Sequence, residues 1–268
     1  MLSYVIAVVA GILAGLLGAL LGVGGGVVML PATQFLMNFP PTLSIGTTLF
    51  AVIFTSASGA FGHFRAGNVL ARASLLIGVG GLMGVGLGSH IFKQYLSRSA
   101  TLLELLLGIL FLYMAVRMAR EAWRMAQPEA ENTAVKTAEA RPAQSMLAAQ
   151  LLLLGLVTGL LSGIMGLGGG FIMVPGIMWI MSVSPYQAVG STLLAMFPIA
   201  LLGGLIKLQQ GFVNLPVSLL LGMGTIVGAQ LGVKISSRVK PLLFKTIFAL
   251  LFLYLFLNYT WSALHNFI

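Results

Sequence analysis

Two glycine-rich segments carry the groups best able to bind a ligand in this sequence. Residues 22–31 read GVGGGVVMLP, and residues 166–175 read GLGGGFIMVP. Glycine and proline are the poorest helix formers, and a helix that starts after such a break leaves backbone N–H groups unpaired. These groups can bind an anion without a basic side chain, although small residues also simply allow close helix packing. The backbone candidates are Gly24, Gly25, Gly26, Gly168, Gly169 and Gly170.

Hydroxyl side chains at the starts of two long apolar segments form a second candidate group. SIGTTL at 44–49 and AVGSTL at 188–193 each follow a proline by a few residues. A hydroxyl in this position can cap its helix or bind an oxyanion, and the sequence leaves both roles open. The candidates for substrate binding are Thr47, Thr48, Ser191 and Thr192.

Basic and amide side chains in GHFRAGNV (62–69) and GLIKLQQGFV (204–213) form a third group. They could attract an anion to the mouth of a cavity or gate its passage. They could equally form a basic interfacial loop whose long side chains reach the lipid headgroups. The residues in question are His63, Arg65, Lys207 and Gln210.

The composition places these groups in a membrane protein. Of 268 residues, 59% are hydrophobic and 7% are charged, with five acidic residues, all of them glutamate. The formal charge of +9 fits basic cytoplasmic loops better than a nucleic-acid surface. The absence of cysteine and the wide spacing of three histidines exclude a metal site, and no cofactor motif occurs. We expect the lipid bilayer and a small anion as partners, with no nucleic acid.

The chain is built from two copies of one unit. When residue 11 is set against residue 155, an offset of 144, the two glycine breaks, the two SIGTTL/AVGSTL starts and several single glycines coincide without a gap. We therefore predict a first repeat at 1–125, a polar linker at 126–144 and a second repeat at 145–268. The long apolar segments are 2–21, 43–62, 70–92, 101–119, 146–165, 186–206, 215–235 and 242–264.

The topology depends on two shorter apolar pieces, 27–37 and 171–182. If both cross the bilayer, the repeats are inverted, the two breaks face each other, and most Lys and Arg residues share one side with the linker. If neither crosses, the repeats are parallel and the basic residues spread evenly. The positive-inside rule favours the inverted arrangement with a cytoplasmic linker. The sequence thus predicts an all-α, multi-pass helical bundle of two homologous repeats, with 8–10 transmembrane segments and Gly-broken helices.

Two local patterns yield structural predictions. Glycines recur every four residues at 80–88 and at 224–232, which indicates close helix packing, either inside the bundle or in a homodimer. TLLE at 101–104 fits a capping box in which Glu104 closes a helix start.

The motifs together resemble the TauE/SafE sulfite exporter family. The resemblance rests on the paired G-x-G-G-G-x-x-x-x-P breaks, the P-x-x-[SA]-x-G-[TS]-[TS] helix starts and the GHFRAGNV loop, and it covers nearly the whole chain except the linker. It implies an inner-membrane carrier for sulfite and for sulfonates such as sulfoacetate, with export the usual direction. The second half departs from the loop pattern, because Lys207 replaces the histidine.

We therefore expect a secondary transporter that works by alternating access around one central site between the repeats. A passive anion channel and a non-transporting assembly protein are the alternatives. An enzyme is disfavoured because the sequence offers no nucleophile–base pair and no metal ligands.

Overall fold

The computed structural model describes residues 2–126, 144–235 and 241–265, and these residues form ten α-helices. A turn of π-helix, Ala32–Leu36, continues α2 beyond Pro31, and a 3-10 turn, Leu96–Arg98, follows α4. Nearly all of the predicted linker, residues 127–143, lies outside the described residues. The helices are α1 Leu2–Leu21, α2 Gly26–Pro31, α3 Pro41–Arg65, α4 Ala71–Gln94, α5 Ala100–Ala126, α6 Gln144–Met165, α7 Gly170–Met181, α8 Pro185–Gln209, α9 Leu215–Ile235 and α10 Pro241–His265.

Seven helices in the described part of the chain are long and apolar enough to cross a membrane. The prediction of an all-α, multi-pass membrane protein is therefore confirmed. The two short pieces after the glycine breaks are helical, as predicted, but α2 and α7 are shorter than a full span.

Proline and serine set the starts of the two helices that carry the hydroxyl candidates. Pro41 and Pro185 occupy the first turn of α3 and α8, where the missing proline N–H costs no hydrogen bond. Ser184 caps α8 in a reciprocal capping box with Gln187. The capping box predicted for Glu104 is wrong. Helix α5 begins at Ala100, Ser99 Oγ accepts the N–H of Leu102 at 3.2 Å, and Glu104 is buried one turn further on.

The helices form two compact units, and each unit combines helices from both halves of the sequence. In the first unit, which contains α1–α4 and α6–α9, α1 packs on α9 and α3 packs on both α8 and α9. The second unit pairs α5 with α10. Its core includes Phe111, whose ring stacks on Tyr259 at 5.4 Å and on Phe252 at 6.1 Å between centroids.

The glycine stripes pack helices together inside the first unit, which confirms the helix-packing interpretation. A β-carbon on any stripe glycine of α4 would strike a backbone carbonyl of α6, and one on any stripe glycine of α9 would strike a carbonyl of α1. The pairs are Gly80 with Leu152, Gly84 with Leu156, Gly88 with Leu160, Gly224 with Val8, Gly228 with Ile12, and Gly232 with Leu16.

Valine at Gly84 should therefore destabilise the protein by roughly 2 kcal/mol or more, because the backbone of α6 cannot move aside as a flexible side chain would. Thermal unfolding of the purified protein in detergent measures this. Gly86→Val is the matched control, since a β-carbon there meets nothing within 4 Å. If the two substitutions lower the melting temperature equally, the contact of Gly84 with α6 is not what stabilises the packing of α4 on α6.

Candidate functional site

The backbone at both breaks is left-handed, and the same conformation recurs 144 residues apart. The φ angles are 72°, 78° and 74° at Gly22, Gly24 and Gly25. They are 72°, 82° and 74° at the corresponding positions of the second break, Gly166, Gly168 and Gly169. Side chains other than glycine adopt this region only with strain, so the composition of the breaks follows from their conformation.

The two breaks lie against each other. A β-carbon at Gly26 would lie 2.9 Å from the Cα of Leu167, and one at Gly170 would strike the backbone of Gly22. Gly24 and Gly168 both border the same two side chains, Val52 of α3 and Met196 of α8. The two breaks therefore face each other in direct contact, and Met196 and Val52 lie beside them.

The first residues of α2 and α7 have backbone N–H groups that form no hydrogen bond within their own helix. In α2 the first intrahelical bond runs from the N–H of Val28 to Gly25 O at 3.1 Å. In α7 it runs from the N–H of Ile172 to Gly169 O at 3.2 Å. The amides of Gly26 and Gly170 precede these bonds and lie at the positive ends of the helix dipoles.

The four candidate hydroxyls divide into two mirrored pairs. Thr47 Oγ1 accepts the N–H of Asn214 at 3.0 Å, and Ser191 Oγ accepts the N–H of Leu70 at 2.9 Å. These two hydroxyls fasten a helix start to the loop that follows another helix, which is a structural role. The neighbouring pair, Thr48 and Thr192, is fully buried, and neither hydroxyl has a hydrogen-bond partner.

Helical spacing places each unpartnered threonine on a helix face that contacts a glycine break. On α3, Ile45 contacts Gly166 and Val52 contacts Gly168. Thr48 lies three residues after Ile45 and four before Val52, so it shares their face. We name Thr48 with residues 166–168 the Thr48 half-site.

The same relation holds on α8. Val189 contacts Gly22 and Met196 contacts Gly24, with Thr192 between them on the same face. We name Thr192 with residues 22–24 the Thr192 half-site. Val52 and Met196 each contact both breaks, so the two half-sites adjoin each other.

Helices α3 and α8 run antiparallel, which places the basic candidates at opposite ends of the pair. Near one end Gly59 faces Leu193, and near the other Gly203 faces Leu49. The Cβ of His63, in the last turn of α3, lies beside Gly190 at the start of α8. Lys207 occupies the corresponding position in the last turn of α8.

His63 and Lys207 are buried, so the interfacial-loop interpretation is wrong for both. His63 Nε2 lies 3.1 Å from Ala19 O, and its Nδ1 has no partner. Lys207 Nζ lies 2.9 Å from the centroid of the Phe92 ring and has no hydrogen-bond partner. Arg65 fits the interfacial interpretation, because it is exposed and lies over the ring of Phe61.

Gln210 is half-buried, and its Nε2 donates to Ser89 O at 3.2 Å. Ser89 and Met196 are the residues of this region that sequence reasoning missed. An apolar residue inside an apolar helix, or one serine among many small residues, gives no sequence signal of its own. In the described part of the chain, no group of three or more metal-ligating side chains comes together.

Comparison with known proteins identifies the family. The family model described as "Sulfite exporter TauE/SafE" matches residues 7–259. Among curated proteins, the chain is 29% identical over 227 residues to the probable membrane transporter protein YdhB of Bacillus subtilis, covering 83% of this chain and 86% of that protein. It is 28% identical over 250 residues to YunE of the same organism, also a probable membrane transporter protein, covering 89% and 90%.

A more distant relative is the probable membrane transporter protein MJ0441 of Methanocaldococcus jannaschii, at 24% identity over 256 residues, covering 90% of this chain and 89% of that protein. No solved structure matches the chain significantly. The family and these relatives are membrane transporters and not enzymes, in agreement with the seven apolar helices of an integral membrane protein. The chain therefore belongs to the sulfite exporter TauE/SafE family of membrane transporters.

Proposed function

We propose that this protein carries small sulfur-containing anions, sulfite and sulfonates such as sulfoacetate, across the inner membrane, with export as the physiological direction. The family description supports the substrate class. The observation that carries the proposal is that Thr48 and Thr192, two of the buried hydroxyls without a partner in the described part of the chain, each share a helix face with residues that contact a glycine break. Buried polar groups in proteins are nearly always hydrogen-bonded, so an oxyanion is the partner these hydroxyls would have in the loaded state.

The charge distribution of the first unit also favours an anion. The stretches of sequence that form it, 1–98 and 145–237, contain no aspartate or glutamate. Carriers of cations need acidic or carbonyl ligands along their path, and this unit offers hydroxyls, backbone amides and basic side chains instead. Sulfite and sulfonate groups present several acceptor oxygens, which suit donors of this kind.

Alternating access between the two half-sites would accomplish transport. The antiparallel arrangement of α3 and α8 supports inverted repeats, in which the Thr48 half-site and the Thr192 half-site exchange roles as the protein opens to one side and then the other. The linker at 126–144 would then lie in the cytoplasm, with most of the basic residues.

Flux into proteoliposomes tests this proposal. We expect purified protein to catalyse uptake of sulfite or sulfoacetate that saturates with concentration and is inhibited by competing sulfur oxyanions. Uptake should change when a proton gradient is imposed if the carrier is coupled, whereas a passive channel would conduct with no dependence on the gradient. Protein-containing vesicles that move none of these anions faster than empty liposomes would refute the proposal.

A further inference from the structure

A cluster of buried polar groups lies around Lys207 at the end of α8, and we propose that it is an oxyanion-binding subsite beside the start of α3. The inference rests on the proposed function and deepens it, because it assigns the charged contact and two previously unassigned residues, Ser89 and Phe92. It also makes the two ends of the α3–α8 pair unequal.

The amino group of Lys207 has no acidic side chain among its contacts. The side chain is 0% exposed, and Nζ lies over the Phe92 ring and 5.9 Å from the centroid of Phe212. Within the described part of the chain no hydrogen bond reaches Nζ, and the stretches of sequence that build this unit contain no acidic residue. A buried charge is strongly unfavourable unless an opposite charge pairs with it. An anionic ligand is the partner that would allow this buried amino group to carry its charge.

Two further unsatisfied polar atoms belong to the same cluster. Ser89 Oγ and Gln210 Oε1 are both buried without a partner, and the two residues are joined by the bond from Gln210 Nε2 to Ser89 O. Ser89 precedes Phe92 by three residues, which places it on the face of α4 that carries the ring beside Nζ. The lysine and the serine offer donors, and the glutamine oxygen offers an acceptor for a protonated oxygen. This set suits an oxyanion that can carry one proton, such as sulfite.

The subsite lies beside the start of α3. The backbone of Phe212, which follows α8, is in contact with Gly46, and Thr47 holds the next turn of the same loop through Asn214. The Lys207 cluster therefore lies beside the first turns of α3, on the face that carries Gly46. At the mirrored position the corresponding base is His63, which already uses one ring nitrogen on Ala19 O. The anion would therefore be held by a full charge at one end of the α3–α8 pair only.

Binding measurements on Lys207→Met and Ser89→Ala test the inference. Purified variants are titrated with sulfite and with sulfoacetate by calorimetry, and thermal unfolding of the ligand-free proteins is recorded in parallel. We expect Lys207→Met to weaken binding at least about tenfold while leaving the ligand-free melting temperature equal or higher, because it removes a buried amino group that has no hydrogen-bond partner among the described residues. Ser89→Ala should weaken binding by about tenfold, because its hydroxyl would donate to a charged ligand. If Lys207→Met does not insert into the membrane, Ser89→Ala still tests the subsite, because alanine is smaller than serine and fits the same space.

Lys93→Met is the matched control, because it removes the same charge from an exposed position next to Phe92. Its affinity for both anions should equal that of the unmodified protein. Wild-type affinity in Lys207→Met and Ser89→Ala, or an equal loss in Lys93→Met, would overturn the subsite while the proposed function stands. If the unmodified protein itself neither binds nor transports these anions, the proposed function fails and the subsite fails with it.

Discussion

Replacing both Thr48 and Thr192 by valine is expected to weaken sulfite binding at each half-site by at least about tenfold, with little change in stability. Valine has nearly the shape of threonine, so packing is kept. In the part of the chain that the structure describes, the hydroxyls have no hydrogen-bond partner, so no internal hydrogen bond is lost there. A hydrogen bond to a charged ligand contributes about 1.5–3 kcal/mol, or roughly tenfold or more for each hydroxyl. Calorimetric titration of the purified double variant, together with its melting temperature, measures both quantities.

The neighbouring hydroxyls supply a matched control. Thr47→Val and Ser191→Ala each remove an acceptor from a loop N–H and leave that donor unpaired. We expect a stability loss of about 1–3 kcal/mol for each, with sulfite affinity retained. If instead Thr48→Val and Thr192→Val lower stability and leave affinity unchanged, the assignment of the two hydroxyl pairs is reversed and the half-sites are wrong.

Alanine at both Gly24 and Gly168 should strongly reduce transport in a protein that still folds. A β-carbon at Gly168 would lie 2.8 Å from Met196 Sδ, and one at Gly24 would also strike that atom. The thioether end is flexible, so it can move, but it moves into the space beside the breaks where we place the anion. Proteoliposome flux measures the effect, and we expect a loss of at least about tenfold.

The strain of a left-handed alanine needs its own control, which Gly67 and Gly211 provide. Their φ angles are 72° and 80°, but a β-carbon at either position meets nothing within 4 Å. Gly67→Ala and Gly211→Ala should cost about 1–2 kcal/mol of stability each, with transport preserved. If the Gly67 and Gly211 variants lose as much transport as the Gly24 and Gly168 variant, backbone strain is responsible, and not the movement of Met196 into the space beside the breaks.

Gly25 and Gly169 are less informative positions for such a test. A β-carbon there would lie 2.7 Å from Ala14 O and 2.6 Å from Thr158 O. Backbone atoms cannot move aside as a methionine side chain can, so a substitution at these positions tests folding more than binding.

Hydropathy and special residues were sufficient to predict the helices. The apolar runs gave helix bounds within a few residues at most ends, because a span must be long, apolar and free of charge to cross a bilayer. The glycine breaks were equally visible, since a left-handed backbone requires glycine at both copies. The prolines before SIGTTL and AVGSTL marked the starts of α3 and α8, because proline is favoured in the first turn of a helix.

Contacts between distant segments were beyond the reach of sequence reasoning. Thr47 and Thr48 are identical neighbours, and only the position of the loop at Asn214 decides which hydroxyl is used. Lys207 sits near a helix end, where a lysine usually extends to the headgroups. It is buried here because Phe92, 115 residues earlier in the chain, covers its ammonium. Burial of that kind is a property of tertiary packing and leaves no local pattern.

Locating a heavy-atom substrate analogue in crystals tests directly whether the anion binds at the glycine breaks beside Thr48 and Thr192. Selenite has the shape and charge of sulfite, and anomalous diffraction at the selenium edge identifies its position without ambiguity. We expect a peak at the Thr48 half-site, the Thr192 half-site or both, within hydrogen-bonding distance of the threonine Oγ1 and beside a glycine break. A peak confined to the protein surface, or no peak at either break in crystals soaked at saturating selenite, would contradict it.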